Sequence, residues 1–354
     1  MPSQSASPLL TIVICNYNYA RYLGGAIESA LGQTARDVRV MVIDDGSTDG
    51  SRDIIVGYGE RIDAVFQPNG GQVSAYNHAL RRVGTPYVLF LDADDLLLPD
   101  AAEAVLTAFA ADSDDYDDSA PCVKVQFRLE VITADGTPTG VRVPQSNAVA
   151  DCGERLRAGW LYPSPPGSGN AYRVDALRRI FPVPVTRDNI HGADFYAIYG
   201  VALVGKVVAI DRPLGRYRVH RGAAHAPQPA RADLSLANAE DVLAGATQTA
   251  RRWAILRTLA ADRLDIALPA DVLDFSIEKA RFATLLYQAP LATRWRWLLR
   301  ESGRYFHTVA ANPFWSLRKK LAVSCVTALC LLPVPSISNR AVRLIANPMA
   351  RAGH

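Results

Sequence analysis

The stretch Tyr87-Val88-Leu89-Phe90-Leu91-Asp92-Ala93-Asp94-Asp95 joins five apolar or aromatic residues to three carboxylates. The apolar run predicts a buried strand, and the carboxylates fall at its carboxyl end. Ligands of open α/β sheets bind in the crevice outside the carboxyl ends of the strands. Carboxylates crowded there repel one another unless a cation is present, and Mg²⁺ or Mn²⁺ suits such oxygen ligands together with substrate phosphates. The stretch therefore predicts a metal-held phosphate ester at a sheet edge.

Two further strand-like runs also end in polar residues. Residues 9–15 lead into Asn16-Tyr17-Asn18, and residues 38–43 lead into Asp44-Asp45-Gly46-Ser47. Segments with helical spacing alternate with strands along the first 91 residues: helix 22–33, a helix beginning near residue 54, a short strand at 64–66, helix 72–83 and strand 87–91. This alternation predicts an α/β fold with right-handed crossovers and a mostly parallel sheet. The polar strand ends are then expected at one edge.

The order of these three motifs resembles that of the family 2 glycosyltransferases. They are Asn16-Tyr17-Asn18, Asp44-Asp45-Gly46-Ser47-Thr48-Asp49 and Asp92-Ala93-Asp94-Asp95, and the likeness extends over residues 8–222. It implies the GT-A fold, a Rossmann-like, mostly parallel sheet flanked by helices, with a helical C-terminal extension. It also implies transfer of a sugar from a nucleoside-diphosphate donor, UDP by default, with inversion at the anomeric carbon.

The resemblance also implies roles for individual residues. One carboxylate of Asp44 and Asp45 would accept from the base, and the likeness leaves open which. Asp92, Asp94 and His220 would hold a divalent metal, Mn²⁺ or Mg²⁺. His220 could instead bond a phosphate oxygen, and Arg218 or Arg221 could pair with phosphate. The expected donor-binding residues are Asn16, Tyr17, Asn18, Asp44, Asp45, Ser47, Gly71, Gln72, Asn77, Asp92, Ala93, Arg218 and Arg221.

The general base expected for such an enzyme is the Asp of a Glu-Asp pair at a helix start. Asp194 occupies that place in His191-Gly192-Ala193-Asp194, with Ala193 where the Glu is common. A carboxylate suits proton removal from an attacking hydroxyl. A second departure is Tyr76, because many relatives carry Arg there. An N-terminal helix cap would explain Asp194 structurally.

The acceptor pocket is expected from the Pro- and Gly-rich segment 162–173 and its neighbours. Trp160, Tyr162 and Asn170 are candidate acceptor contacts, since an aromatic ring can stack on a sugar. A purely structural loop explains the same composition. Residues 122–133 alternate apolar and polar side chains and predict a strand, followed by a hairpin at 134–137.

Other functions fit the sequence less well. A metal-dependent nucleotidyltransferase should show a Gly-rich, basic loop after the first strand, and a dehydrogenase should show Gly-x-Gly-x-x-Gly there. A non-catalytic nucleotide-sugar-binding regulatory subunit remains an alternative because of Ala193 and Tyr76. The acidic tract at 112–118 follows no apolar strand, which indicates a solvated loop.

The C-terminal part differs in charge from the rest. Residues 223–290 predict helices that brace the catalytic domain 8–222. Residues 291–354 carry ten Lys or Arg and one Glu, which is +9 and leaves −6 for residues 1–290 of the total +3. Basic residues interleaved with tryptophans predict contact with an anionic membrane surface. Packing on the catalytic domain or on a partner subunit is the alternative, and no nucleic-acid-binding module accompanies the charge.

The C-terminal region also indicates where in the cell the protein is expected. The apolar run 321–332 would extend about 18 Å as a helix, short of the hydrocarbon core of about 30 Å. Five cysteines without a framework spacing favour reduced thiols, and no signal peptide is evident. The sequence thus predicts a cytoplasmic protein, peripheral on the inner face of the cell membrane, that acts on a glycan or lipid-linked acceptor.

Overall fold

The computed structural model describes residues 7–113, 120–147, 150–187, 189–219 and 237–346. The predicted site residues His220 and Arg221 lie outside these ranges, as does most of the acidic tract. The chain forms two compact units. The first comprises Met1–Arg157, Tyr162–Ala226 and Leu256–Leu268, and the second comprises Ala158–Leu161, Pro227–Ile255 and Pro269–His354.

The strands of the described residues form one nine-stranded sheet in the first unit. Its order is β3-β2-β1-β4-β8-β6-β9-β5, with β7 paired to β6. The strands are β1 Leu10–Asn16, β2 Val38–Asp44, β3 Asp63–Phe66, β4 Tyr87–Asp92, β5 Leu96–Leu97, β6 Cys122–Ile132, β7 Pro138–Val143, β8 Asn170–Arg173 and β9 Lys206–Arg218.

The helices follow the predicted order and continue through the C-terminal region. They are α1 Ala20–Leu31, α2 Ser51–Gly57, α3 Gly71–Arg82, α4 Ala101–Ser113, α5 Cys152–Arg157, α6 Val174–Arg178, α7 Ala193–Phe195, α8 Ala237–Leu264, α9 Phe275–Leu286, α10 Leu291–Arg300, α11 Gly303–Ala311, α12 Leu317–Leu329 and α13 Pro335–Ala346. Short 3₁₀ turns occupy Gly59–Arg61 and Gly167–Gly169, and a π-helical turn, Tyr196–Gly200, continues α7.

Parallel pairing of the first four strands explains why their polar ends meet. β1 pairs in parallel with both β2 and β4, and β2 pairs in parallel with β3. In this register Asn16 lies opposite Asp44, and Cys15 lies opposite Asp92. The prediction of a mostly parallel sheet with one polar edge is confirmed for these strands. The predicted hairpin is present as the antiparallel pair of β6 and β7.

The core of the first unit follows from apolar strands covered by amphipathic helices. Leu10, Ile12 and Ile14 of β1 are fully buried and belong to one cluster with Leu23 and Ile27 of α1. Leu23 and Ile27 are four residues apart, so both side chains lie on one face of the helix. Burying each such side chain contributes roughly 1.5–3 kcal/mol. This packing fixes the strand ends that carry the candidate site.

The second unit has its own aromatic core. Phe282 of α9 packs against Trp297 of α10, with ring centroids 5.3 Å apart, and against Tyr305 of α11 at 5.2 Å. Residues on both sides of position 290 therefore share one core, so the structure places no unit boundary at the predicted start of the tail. No helix among the described residues is long and apolar enough to cross a membrane.

Candidate active site

Side-chain hydrogen bonds join the loops that follow β1 and β2. Asn16 Nδ2 donates to Asp44 Oδ1 (2.8 Å) and to Ser47 Oγ (3.0 Å). Ser47 Oγ also accepts from the Asn18 amide (2.9 Å), and Asn18 Oδ1 accepts from the Thr48 amide (2.8 Å). Asn18 has a φ of 59°, which Asn tolerates better than most residues. The predicted donor residues of these loops therefore form one network, beside which Tyr17 is 42% exposed.

Asp45 anchors the segment that leads into α3. Its Oδ1 accepts from Gln67 Nε2 (2.6 Å) and the Gly70 amide (2.9 Å), and its Oδ2 accepts from the Gly71 amide (2.7 Å). Gly71 has a φ of 80°, and an added Cβ would lie 2.4 Å from the Ile190 carbonyl oxygen. Only glycine fits this position without rearrangement. The carboxylate of Asp45 thus holds this segment against the strand end.

Gln72 connects the same segment to the candidate base. Its Oε1 accepts from the amides of Gly192 (2.8 Å) and Ala193 (3.0 Å). These amides open α7, the short helix that carries Asp194. Gln72 was predicted to contact the donor, whereas its side-chain oxygen is bonded to the start of the Asp194 helix. The structure therefore assigns it a positioning contact that the sequence did not indicate.

Three polar side chains converge beside Gly167. A Cβ added at Gly167 would lie 3.5 Å from Asp92 Oδ2, and 3.6 Å from both Asp194 Cβ and Tyr76 Oη. Tyr76 is 1% exposed, and its ring stacks on Phe90 of β4 with centroids 3.7 Å apart. Residues separated by more than 100 positions, Asp92 and Asp194, therefore lie close together. The absence of a side chain at Gly167 keeps the space between them open.

Asp95 is the buried member of the acidic turn. Its side chain is 0% exposed, and it accepts from Ser168 Oγ (2.6 Å) and from the Arg218 amide (2.8 Å). Ser168 Oγ in turn accepts from the Asp92 amide (3.0 Å). These bonds fix the turn after β4, and neither Asp95 nor Ser168 was among the predicted site residues.

The guanidinium of Arg218 braces the same turn. Its Nε donates to the Asp94 carbonyl (2.8 Å), and its Nη1 donates to the carbonyls of Thr133 (3.2 Å) and Ala134 (3.1 Å). It also lies over the Tyr22 ring, 4.9 Å from the centroid. In this arrangement the guanidinium contacts backbone oxygens, and its pairing with a phosphate stays a prediction.

The cluster of carboxylates alters the protonation of its members. Burial, and then the charges of Asp94 and Asp194, raise the pKa of Asp92 to about 7. Burial, and then the charges of Asp92 and Asp94, hold the pKa of Asp95 well above its usual range. Burial and Asp94 raise the pKa of the nearby Tyr19 to about 12. Negative charge is therefore costly here, as expected where a cation or cationic transition state is to be bound.

The donor set fits a divalent cation shared with a substrate. Among the described residues, no three His, Cys, Asp or Glu side chains are grouped to hold a metal by themselves. Mg²⁺ and similar ions are commonly held by one or two carboxylates together with substrate phosphates. Asp92 and Asp94 supply carboxylates of this kind at an acidic strand end. They fit a metal that arrives with, or is completed by, a diphosphate.

Several predicted contacts are buried within the protein instead. Asn77 exchanges hydrogen bonds with the backbone of Val183, at 2.8 and 2.9 Å. Asn170 is 0% exposed and donates to the carbonyls of the segment that carries Gly167. These two side chains bond to the backbone in this structure, and their direct contacts with donor and acceptor stay predictions.

The two aromatic acceptor candidates are also enclosed. Tyr162 is 1% exposed; its hydroxyl donates to the Ile198 carbonyl and accepts from Lys124 Nζ (3.1 Å). Trp160 is 8% exposed and belongs to the second unit. Neither ring presents an open face for stacking on a sugar. Their burial within the protein accounts for both aromatic residues without an acceptor.

Comparison with known proteins identifies this arrangement. The sequence profile of glycosyl transferase family 2 matches residues 11–181, which contain all three polar strand ends. Residues 11–181 belong to glycosyl transferase family 2. The match ends before Asp194, so the place of the candidate base rests on the geometry described above. The family 2 segment covers the sheet, the donor-side loops and the acidic turn.

Curated relatives share stretches of different length with this chain. An uncharacterized glycosyltransferase of Nostoc sp. is 33% identical over 222 residues, which is 61% of this chain and 66% of the relative. Chondroitin synthase of Pasteurella multocida is 41% identical over 108 residues, which is 30% of this chain and 11% of the synthase. The chain thus spans less than two thirds of the length of these relatives.

A solved structure supports the fold. TarS of S. aureus, residues 1–349 in complex with UDP, aligns over 98% of this chain and 92% of its own, with a TM-score of 0.50 and 15% identity. At this identity the likeness concerns architecture alone. Together with the family 2 match, it agrees with the GT-A arrangement expected from the sequence.

Proposed function

We propose that this chain is an inverting glycosyltransferase that moves a sugar from a nucleoside-diphosphate donor to a hydroxyl of a glycan or lipid-linked acceptor. The observation that carries the proposal is the convergence of Asp92 and Asp194 beside Gly167. One carboxylate, Asp92, ends β4 on the donor side, and the other lies at the start of α7. Membership of residues 11–181 in glycosyl transferase family 2 supports this reading.

The donor half of the reaction uses the strand ends. The network of Asn16, Asp44 and Ser47 offers polar groups for a nucleoside. UDP is the default nucleotide at family level, and the UDP complex of TarS supports it. Asp92 and Asp94 are the residues that would hold a divalent cation. When bound, such a cation offsets the charge that develops on the leaving diphosphate.

The acceptor half uses Asp194. Its carboxylate takes the proton of the acceptor hydroxyl while the hydroxyl oxygen forms a bond to the anomeric carbon. The bond between that carbon and the diphosphate oxygen breaks, and the nucleoside diphosphate leaves with the electron pair. Attack on the face opposite the leaving group inverts the anomeric centre. Gln72 orients the base by accepting from the amides at the start of its helix.

For the pathway and location, we propose synthesis of a surface polysaccharide or glycolipid at the cytoplasmic face of the cell membrane. A lipid-linked acceptor and a nucleotide sugar meet at such a face. The chondroitin synthase among the relatives supports synthesis of a polysaccharide. The basic C-terminal region supports a location at the membrane surface.

Calorimetric titration tests the donor site. Wild type and Asp94→Ala are titrated with UDP, GDP, CDP and dTDP, with and without Mn²⁺. We expect Mn²⁺-dependent binding of one diphosphate, lost in the variant. Lack of binding to all four by the wild type would contradict the donor-site assignment.

Asp194→Asn separates catalysis from binding in the same assay. Removing a general base lowers turnover by roughly 10²–10⁴-fold, while diphosphate binding stays at the wild-type level. If the non-catalytic regulatory subunit is the correct reading, suggested by Ala193 and Tyr76, the wild type binds donor without turnover and the variant changes nothing.

A further inference from the structure

An exposed apolar stripe runs along α12. Leu317, Leu321, Cys325 and Leu329 recur at intervals of four residues, so they lie on one face of the helix. The three leucines are 71%, 57% and 43% exposed, and Cys325 is exposed as well. The opposite face is the one that packs inward, through Thr327, which is 1% exposed. The stripe therefore points away from the core of the second unit.

A second stripe of the same kind lies on α10. Leu291, Trp295 and Leu299 also recur every four residues and are 40%, 46% and 79% exposed. On the inward side, Trp297 is 5% exposed and Arg294 donates to the Cys330 carbonyl (2.9 Å). Each helix thus has an apolar outer stripe that the described part of the unit leaves uncovered.

The three tryptophans of residues 291–354 differ in exposure, whereas the sequence prediction treated them together as membrane contacts. Trp297 is buried in the aromatic core, and Trp315 is partly buried against Phe275, with centroids 4.6 Å apart. Of these three rings, Trp295 is the one that faces outward on α10. Leucines, rather than a set of tryptophans, supply most of the exposed apolar surface.

Charge distinguishes between possible occupants of the stripes. From Ser302 to Ala346 the sequence contains six Lys or Arg and no Asp or Glu. Arg318 follows Leu317 directly, and both Arg296 and Arg300 are exposed beside the α10 stripe. A second copy of this chain would bring the same positive charge to the contact and be repelled. An anionic surface is complementary to it.

We infer that α10 and α12 each present a lipid-binding face to an anionic bilayer. The leucine stripes enter the boundary between headgroups and acyl chains, and the arginines contact the headgroups. The helices have 10 and 13 residues, about 15 and 20 Å, too short to span a hydrocarbon core and suited to lying along its surface. This inference rests on the proposed membrane location and not on the proposed chemistry.

Sedimentation with vesicles tests the inference. The full chain is mixed with phosphatidylcholine vesicles with or without a quarter phosphatidylglycerol, and bound protein is measured at low and high salt. We expect binding to the anionic vesicles and a marked loss at high salt. Leu317→Ser with Leu321→Ser should weaken binding by at least tenfold, an order of magnitude set by losing two buried leucines. Arg318→Gln should weaken it about fivefold.

A matched control uses exposed apolar residues of the first unit. Val56→Ser with Val185→Ser removes side chains that are 60% and 47% exposed and should leave vesicle binding unchanged. Thermal unfolding verifies that each variant is folded.

Three outcomes would overturn the inference. The first is equal binding of the leucine variant and the wild type, and the second is no binding to anionic vesicles. The third is a dimer, seen by light scattering without lipid, that the leucine variant dissociates, which assigns the stripe to a second copy. Diphosphate titration of the same variants in solution keeps this result separate from any failure of the donor site.

Discussion

At the scale of single residues, Asp92 carries the most informative electrostatics of the site. Its pKa is raised to about 7 by burial and by its acidic neighbours. The folded protein therefore keeps a proton that the unfolded chain releases between about pH 4 and pH 7. The free energy of unfolding of the metal-free protein falls as the pH rises through this window, and this contribution is constant above it.

A pH-dependent response to Mn²⁺ follows. Protons compete with the cation for Asp92, so the affinity for Mn²⁺ in the presence of the diphosphate should fall by up to roughly tenfold for each pH unit below about 7. Thermal unfolding with the diphosphate, with and without Mn²⁺, at pH 5.5 and pH 8 measures this dependence. The increase in Tm caused by Mn²⁺ should be larger at pH 8. Asp92→Asn should abolish the difference, whereas Asp53→Asn, at an exposed carboxylate of α2, should retain it. Equal shifts at both pH values would contradict this assignment.

Sequence reasoning located residues whose position follows from the local pattern and missed residues whose position depends on a distant partner. The carboxylates of Asp44 and Asp92 follow apolar strands, so their shared edge could be predicted from strand order. Gly167 and Ser168 gave no such signal, because their partners lie on a turn 73 to 76 residues earlier in the chain. The same long separation concealed the contact of Gln72 with the Asp194 helix.

At the scale of elements, the segment at the start of α3 joins the two halves of the candidate site. The Gly71 amide donates to Asp45, and the adjacent Gln72 accepts from the first amides of α7. Removing the Gln72 side chain leaves those amides without their acceptor. The free energy of unfolding should fall by about 0.5–1.5 kcal/mol for each lost bond.

Substitution of Gln72 should therefore affect turnover more than donor binding. Gln72→Ala is expected to lower kcat about tenfold with little change in the Kd for the diphosphate, because the base is misplaced. Gln72→Glu keeps the accepting oxygens and should restore most of the rate. Gln33→Ala is the matched control, since Gln33 Oε1 likewise accepts from a backbone amide, that of Ala102 (2.8 Å). If the control slows turnover equally, the effect is one of stability and not of positioning.

Strand β6 shows where a periodic pattern misleads. Its alternation predicts polar side chains facing outward, yet Lys124 is 0% exposed. Consecutive residues Cys122–Phe127 of the strand are all buried, so both of its faces are covered there. Lys124 Nζ donates to Gln126 Oε1, Tyr162 Oη and Ser164 Oγ at 2.9–3.1 Å, and burial lowers its pKa well below the usual range. Alternation alone does not reveal whether a second layer covers the polar face.

At the scale of the whole molecule, the order of secondary structure and the fold class followed from the sequence, but the grouping of the C-terminal helices did not. Charge and tryptophan content suggested a separate tail from residue 291. The structure instead packs Phe282 with Trp297 and Tyr305 in one core, and exposes leucines of α10 and α12. Composition reports which residues are present, whereas helix geometry decides which of them face outward.

Gly167 has a consequence for how variants of this protein would score in a mutational screen. Its φ lies outside the left-handed region, so other residues can adopt its backbone conformation. A Cβ methyl group added there would lie 3.5–3.6 Å from its neighbours, which are ordinary contact distances. A screen for abundance should therefore rate Gly167→Ala as nearly neutral. A screen for sugar transfer should rate it as severe, because the methyl group occupies the gap between Asp92 and Asp194. Tolerance of folding combined with intolerance of function is the signature by which selection experiments recognise a reaction centre.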